Sequence, residues 1–257
     1  MQMIQLLDGK YYDEEELIKK MHNDDFYYGE LNHLALSSSS IKLLLNSPKT
    51  YKYVLQYGSK QSQALIDGWL FHTAILEPEV FEKQIFVDVQ SKNTKAYKLA
   101  KEEHGTVFTM KEKQDAERLA DAFLRNETAL RMINDSIFEE PMIKVIDGYP
   151  FRGKADVLGR HYICDLKTTT KIKSFRKSAE AYSYDVQCYL YCKLFDRSYK
   201  DFKFIAIDKG SLDLAVWDCS EDFYLRGQQK VKQALEIFET YFIDGADIDN
   251  YYLSGTL

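Results

Sequence analysis

Apolar residues recur at helical spacing in the first half of the chain and alternate with polar ones near its centre. That change of period sets out the elements. Residues 1–36 are polar, tyrosine-rich and weakly periodic, and read as an N-terminal arm that packs onto the remainder. Ser37-Ser38-Ser39-Ser40 precedes Ile41-Lys42-Leu43-Leu44-Leu45, a serine-capped helix start that is stopped before Pro48. A longer helix is expected over 63–76, ended by Pro78. A short strand follows at 86–89, and 94–103 and 111–130 read as charge-rich, mostly solvent-facing helices.

The centre is different. Segments 137–146, 150–158 and 161–167 read as three consecutive strands, with Asp147-Gly148 as a turn signal between the first two. Ser174 is expected to cap one long helix through Phe195, with apolar residues at 175, 179, 182, 186, 189, 190 and 195. Strands at 202–208 and 213–219 flank Lys209-Gly210-Ser211. Ser220, with Glu221 and Asp222, opens a final helix striped by Val231, Leu235, Phe238 and Phe242. The order predicts an α/β fold: a mixed central sheet with an antiparallel hairpin, flanked by helices.

Chemistry is concentrated in the hairpin. Gly153-Lys154-Ala155-Asp156 and Cys164-Asp165-Leu166-Lys167 lie in the second and third strands. Alternation puts Asp165 and Lys167 on one face, and pairing of the runs would bring Asp156 alongside. Two close carboxylates are unfavourable unless a cation or a proton joins them. Oxygen ligands with room for water and phosphate suit Mg²⁺, and a lysine can steady an attacking hydroxide or the charge building on a phosphate. The residues point to a metal-dependent phosphodiester-cleaving centre. A hairpin with exposed charges on one face would explain the same residues without chemistry.

Composition narrows the choice. The 257 residues are 45% hydrophobic and can bury a full core as one domain. With 34 Lys+Arg against 40 Asp+Glu, a net charge of -6 argues against a broadly sticky nucleic-acid coat but permits a local basic groove. Lys167, Lys171, Lys173, Arg176 and Lys177 supply such a cluster directly after the carboxylates. The four cysteines lack C-x₂-C spacing and read as buried thiols. With no signal peptide or long apolar span evident, a reduced, cytoplasmic protein with no membrane partner is expected.

Two further features extend the pattern: Gly68-Trp69-Leu70-Phe71-His72 within an apolar helix, and Gln187 and Tyr191 four residues apart on the helix after the hairpin. In this order the residues resemble the PD-(D/E)xK nuclease superfamily. More narrowly, they resemble the branch of lambda-type phage exonucleases, exodeoxyribonuclease VIII and RecB-like nuclease domains. The resemblance spans residues 37–243; Ala155 stands where the pattern has proline.

The resemblance implies a restriction-endonuclease-like core, with 37–257 as one nuclease domain after the arm. It implies that Asp156, Asp165, His72 and the Leu166 carbonyl hold Mg²⁺ or Mn²⁺, and that Lys167 orients the nucleophilic water. Gln187 and Tyr191 would brace the site or touch DNA, while Ser39, Lys171, Lys173 and Arg176 would meet phosphate. Glu139 and Glu140 open the first core strand; they read as exposed, with the role of an auxiliary ligand for either left open. The implied activity is 5′-to-3′ digestion of double-stranded DNA ends in phage-type recombination, in a phage- or prophage-encoded protein. An annealing protein for single strands and a homo-oligomeric ring are the expected partners. A structure-specific or single-strand endonuclease on the same fold, or a non-catalytic DNA-end-binding module, stays open.

Overall fold

The computed structural model describes residues 2–254. Strands β1 (Met3–Gln5) and β2 (Tyr11–Asp13) form an antiparallel hairpin, followed by helices α1 (Glu14–Met21) and α2 (Asp24–Tyr28). This segment is more ordered than its sequence pattern implies. Ile4, Leu6, Leu17, Met21, Tyr27, Leu31 and Ala35 bury a small cluster of their own, closed by Ile143 of the main sheet.

Helices α3 (Ser38–Asn46), α4 (Pro48–Tyr57), α5 (Gln63–Leu76) and α6 (Pro78–Glu82) come next. Ser37 caps α3 through a capping box with Ser40, so two members of the serine run are taken up by the helix start. Pro48 does not simply end a helix. It occupies the first position of α4, where its missing N–H is not needed. After β3 (Phe86–Val87), α7 (Lys95–His104) and β4 (Phe108–Thr109), the second charge-rich stretch divides into α8 (Met110–Arg125) and α9 (Glu127–Ile133). Asn126 makes the break by capping α9 with its own side chain.

The central sheet runs β5 (Ile137–Ile146), β6 (Tyr149–Leu158), β7 (Ile163–Thr169), β8 (Phe202–Asp208) and β9 (Leu214–Asp218), in that spatial order. Within this sheet only β7 and β8 pair in parallel. Their crossover is made by α10 (Phe175–Ala181) and α11 (Tyr184–Leu194), as a parallel connection requires. The turn between β5 and β6 has positive φ at both Asp147 (50°) and Gly148 (86°), which fits a tight two-residue hairpin. The final helix, α12 (Glu221–Phe238), is capped by Ser220.

The single helix expected over 174–195 is two helices. Ser174 makes no side-chain cap, Tyr182 is exposed, and Ser183 has φ of 49°, a left-handed conformation that interrupts the run. The break is held from α12: Lys230 Nζ donates to Ser183 Oγ at 3.1 Å and pairs with Asp185 at 2.8 Å. Gly227 allows this approach, since a Cβ there would lie 2.1 Å from the Asp185 carbonyl oxygen.

Helices cover both faces of the sheet. One layer packs α3, α10, α11 and α12 onto Phe151, Ala155, Ile163, Phe202 and Phe204. The other packs α5, α8 and α9 onto Val157, Cys164, Leu166, Ile205 and Ile207. All four cysteines are buried free thiols. No helix among the described residues is long and apolar enough to cross a membrane.

Candidate active site

Ala155 and Val157 sit two residues apart on one strand, yet they enter opposite core layers. Strand geometry puts such residues on the same face, so β6 turns over between them, at Asp156. The partner strand shows the matching distortion. The register of β5 on β6 is continuous except at Glu139 and Asp156, where the pair is missing, and Glu139 has φ of 50°. A left-handed glutamate inside a strand is strained backbone that its surroundings must hold.

Beyond this point β6 also leaves β7. The two strands pair only at Val157 with Cys164 and Leu158 with Ile163. The N–H and C=O of Leu166 lie on the same edge of β7, and the ladder no longer serves them. Side chains serve them instead. Asp156 Oδ2 accepts the Leu166 N–H at 2.8 Å, and His72 Nε2–H donates to the Leu166 carbonyl at 2.7 Å. Across the gap, Tyr191 OH donates to the Lys154 carbonyl at 2.9 Å. Four of the residues singled out from sequence therefore meet where the sheet splits.

The donor from α5 places His72 Nδ1 3.5 Å from Asp156 Oδ2. His72, Asp156 and Glu139 each bring one ligand atom to within 4.8 Å of the others. Burial, the Asp165 charge and incomplete compensation by His72 and Lys167 push Asp156 up to about 6. Burial, then Asp156 and Glu77, push Glu139 up to about 9. Two carboxylates that repel one another, with an imidazole beside them, form a donor set that fits a divalent cation.

Asp165 and Lys167 make the adjoining half of the site. Both project from β7 toward α11, where Lys167 Nζ pairs with Asp165 Oδ2 and Gln187 Nε2 donates to Asp165 Oδ1. Asp165 is buried, and its Oδ2 has no hydrogen bond beyond the ion pair. Burial pulls the Lys167 ammonium down, but the Asp165 and Asp156 charges outweigh it and hold it above its ordinary value. Lys167 is therefore a charged donor at neutral pH.

Residues 37–241 match the family described as a PDDEXK-like domain of unknown function (DUF3799). The chain belongs to that family. It has the PD-(D/E)xK fold, with the mixed sheet and flanking helices that its sequence predicts. The solved structure of a "Putative exonuclease" from Eubacterium rectale has a TM-score of 0.65 at 15% identity, over 91% of this chain and 95% of that one. A phage related exonuclease from Haemophilus somnus 129PT gives 0.37 at 14% identity, over 84% of this chain and 98% of that one. No curated protein matches the chain. Family and fold support a nuclease.

Within this PD-(D/E)xK site the remaining expectations separate. Ser39 is exposed on the first turn of α3. Lys171, Lys173 and Arg176 are exposed on the segment after β7, and none pairs with the clustered acids; Arg176 lines a cavity of about 340 Å³ with Phe175, Trp217 and Arg226. The reading of Glu139 and Glu140 as exposed is corrected: both are half-buried, and Glu139 takes the alternative place in the acid cluster. Its kinked backbone is what turns it there, and nothing in strand alternation announces such a kink. Lys42 was also passed over. It lies on α3 with its ammonium 5.4 Å from the Tyr184 ring centre, and Lys167 Nζ is 4.9 Å from the same centre.

Proposed function

We propose that this protein is a divalent-cation-dependent deoxyribonuclease, acting 5′ to 3′ as an exonuclease on double-stranded DNA ends. One observation carries the reading: at the split between β6 and β7, His72, Glu139 and Asp156 converge beside a buried Asp165–Lys167 pair. The exonuclease name of the Eubacterium rectale structure, which shares the fold, favours the choice of mode.

In this mechanism His72, Glu139 and Asp156 would hold Mg²⁺ or Mn²⁺, with the Leu166 carbonyl and Asp165 beside them. When bound, the cation supplies Lewis-acid stabilisation of charge on the phosphoryl oxygens. Lys167 Nζ, kept protonated by its carboxylate neighbours, donates to the attacking water and to the developing phosphorane charge. Water oxygen bonds to phosphorus and gives up a proton to solvent as the bond from phosphorus to the 3′-oxygen breaks, and that oxygen takes up a proton to leave as a 3′-hydroxyl. Gln187 fixes the Asp165 carboxylate, and Asp165 in turn fixes Lys167. Tyr191 holds the β6 edge through the Lys154 carbonyl and so acts on position, away from the substrate.

Partners follow from the same proposal: duplex ends as substrate, a single-strand annealing protein, and a ring of identical subunits around DNA, in the cytoplasm of a phage-bearing host. The test compares linear with covalently closed duplex in Mg²⁺, following release of label from 5′ and 3′ ends. Loss of 5′ label from the linear form alone is expected. Nicking of the closed form would favour an endonuclease on the same fold, and binding without cleavage would favour a non-catalytic end-binding module.

A further inference from the structure

Lys42 presents an ammonium that the protein does not use. It is half-buried on α3, on the side of the sheet that carries Asp165 and Lys167. No carboxylate lies within ion-pairing distance of it among the described residues, and it makes no hydrogen bond there. Its ammonium lies over the Tyr184 ring, which it shares with the catalytic lysine. Lys167 is satisfied by Asp165, and nearby Lys230 is satisfied by Asp185 and Ser183. Lys42 stands alone among these cations.

Keeping an unpaired ammonium half out of water, next to another ammonium, is unfavourable. Burial, followed by the Lys167 charge, accordingly pulls it down to about 8. An anion entering between α3 and β7 would reverse both penalties. The cation cluster is built from His72 of α5, Glu139 of β5 and Asp156 of β6, whereas Lys42 approaches from α3, one helical turn after the exposed Ser39. A strand whose phosphate reached the split would have the acids on one side and Lys42 on the other.

We propose that Lys42 is a substrate-binding residue, donating from Nζ to a non-bridging phosphate oxygen of the DNA strand held against Lys167, with Tyr184 as the shared aromatic wall. The proposal rests on the nuclease reading for its substrate. It differs from a structural role in sign: the lysine weakens the free protein and strengthens the complex.

The test uses the full chain, a linear duplex bearing a 5′-phosphate, and Ca²⁺ in place of Mg²⁺ to separate binding from cleavage. Lys42→Met should unfold at the same or a higher temperature than wild type while binding the duplex about tenfold more weakly. The slope of log affinity against log salt should fall by about 0.9, and Lys42→Arg should restore most of the loss. Binding and salt slope unchanged in Lys42→Met would overturn the role of Lys42. A methionine variant less stable than wild type, with unchanged affinity per folded molecule, would overturn it too. If wild type binds duplex through Lys42 yet never cleaves it in Mg²⁺, the contact stands and the nuclease reading fails. A wild type that binds no duplex removes both.

Discussion

Asp156 accepts the backbone N–H of Leu166 at 2.8 Å across a break in the sheet, so one carboxylate both closes the fold and faces the cation cluster. The two roles can be separated. Asparagine keeps an oxygen for the Leu166 N–H, and alanine does not. Asp156→Asn and Asp156→Ala should both lose at least about 100-fold in cleavage rate. Only the alanine variant should also lose about 1–3 kcal/mol relative to the asparagine one, because it orphans a buried donor. Chemical denaturation of the pair checks this, and equal stabilities would refute the structural half of the role.

The pH dependence of the metal-free protein follows from the raised carboxyls. Glu139 is pushed up to about 9 and Asp156 to about 6, whereas unfolded carboxyls titrate near 4. Between these values the folded state holds protons that the unfolded chain has released. Stability from these groups is therefore full below about pH 4 and falls as pH rises toward 9. Denaturation midpoints should drop from pH 6 to pH 8 without metal, and Glu139→Gln should flatten most of that drop. Bound cation displaces the same protons, so affinity for Mg²⁺ should climb across that interval. A midpoint that rises from pH 6 to 8 would count against the cluster.

Gln187 has a narrower part. It donates to a buried carboxylate that otherwise keeps only its lysine. Gln187→Met preserves volume and removes the donor, so it should cost about 1–3 kcal/mol of stability. Cleavage should slow by about 10- to 100-fold, as for loss of a hydrogen bond that orients a site carboxylate. Single-turnover rates at saturating metal read the second effect apart from the first.

His72 makes the donor set less oxygen-rich than Mg²⁺ prefers, since imidazole suits later divalent metals better. Mn²⁺ should therefore support cleavage at lower concentration than Mg²⁺. His72→Ala should narrow that difference while also freeing the Leu166 carbonyl. Titration of activity with each metal measures it, and an unchanged Mn²⁺ preference in the variant would exclude His72 as the source.

Much of this site was legible in sequence because its parts obey local rules. Asp147-Gly148 specifies the β5–β6 turn, and helical spacing places His72 on α5 and Gln187 and Tyr191 on α11. What escaped depends on departures from period. The turnover of β6 at Asp156 and the kink at Glu139 leave no trace in an apolar pattern, so strand alternation alone turns Glu139 outward. The break at Ser183 has neither glycine nor proline, and its support comes from Lys230, 47 residues away. Lys42 is invisible for the same reason: only the fold brings it beside Lys167, over the shared Tyr184 ring.

Crystals grown or soaked in Mn²⁺ offer the most direct test, read as anomalous difference density. A peak within bonding distance of His72, Glu139 and Asp156, lost in Asp156→Asn, is the predicted result. A fully soaked crystal with density elsewhere, or none at the β6–β7 split, would contradict the account.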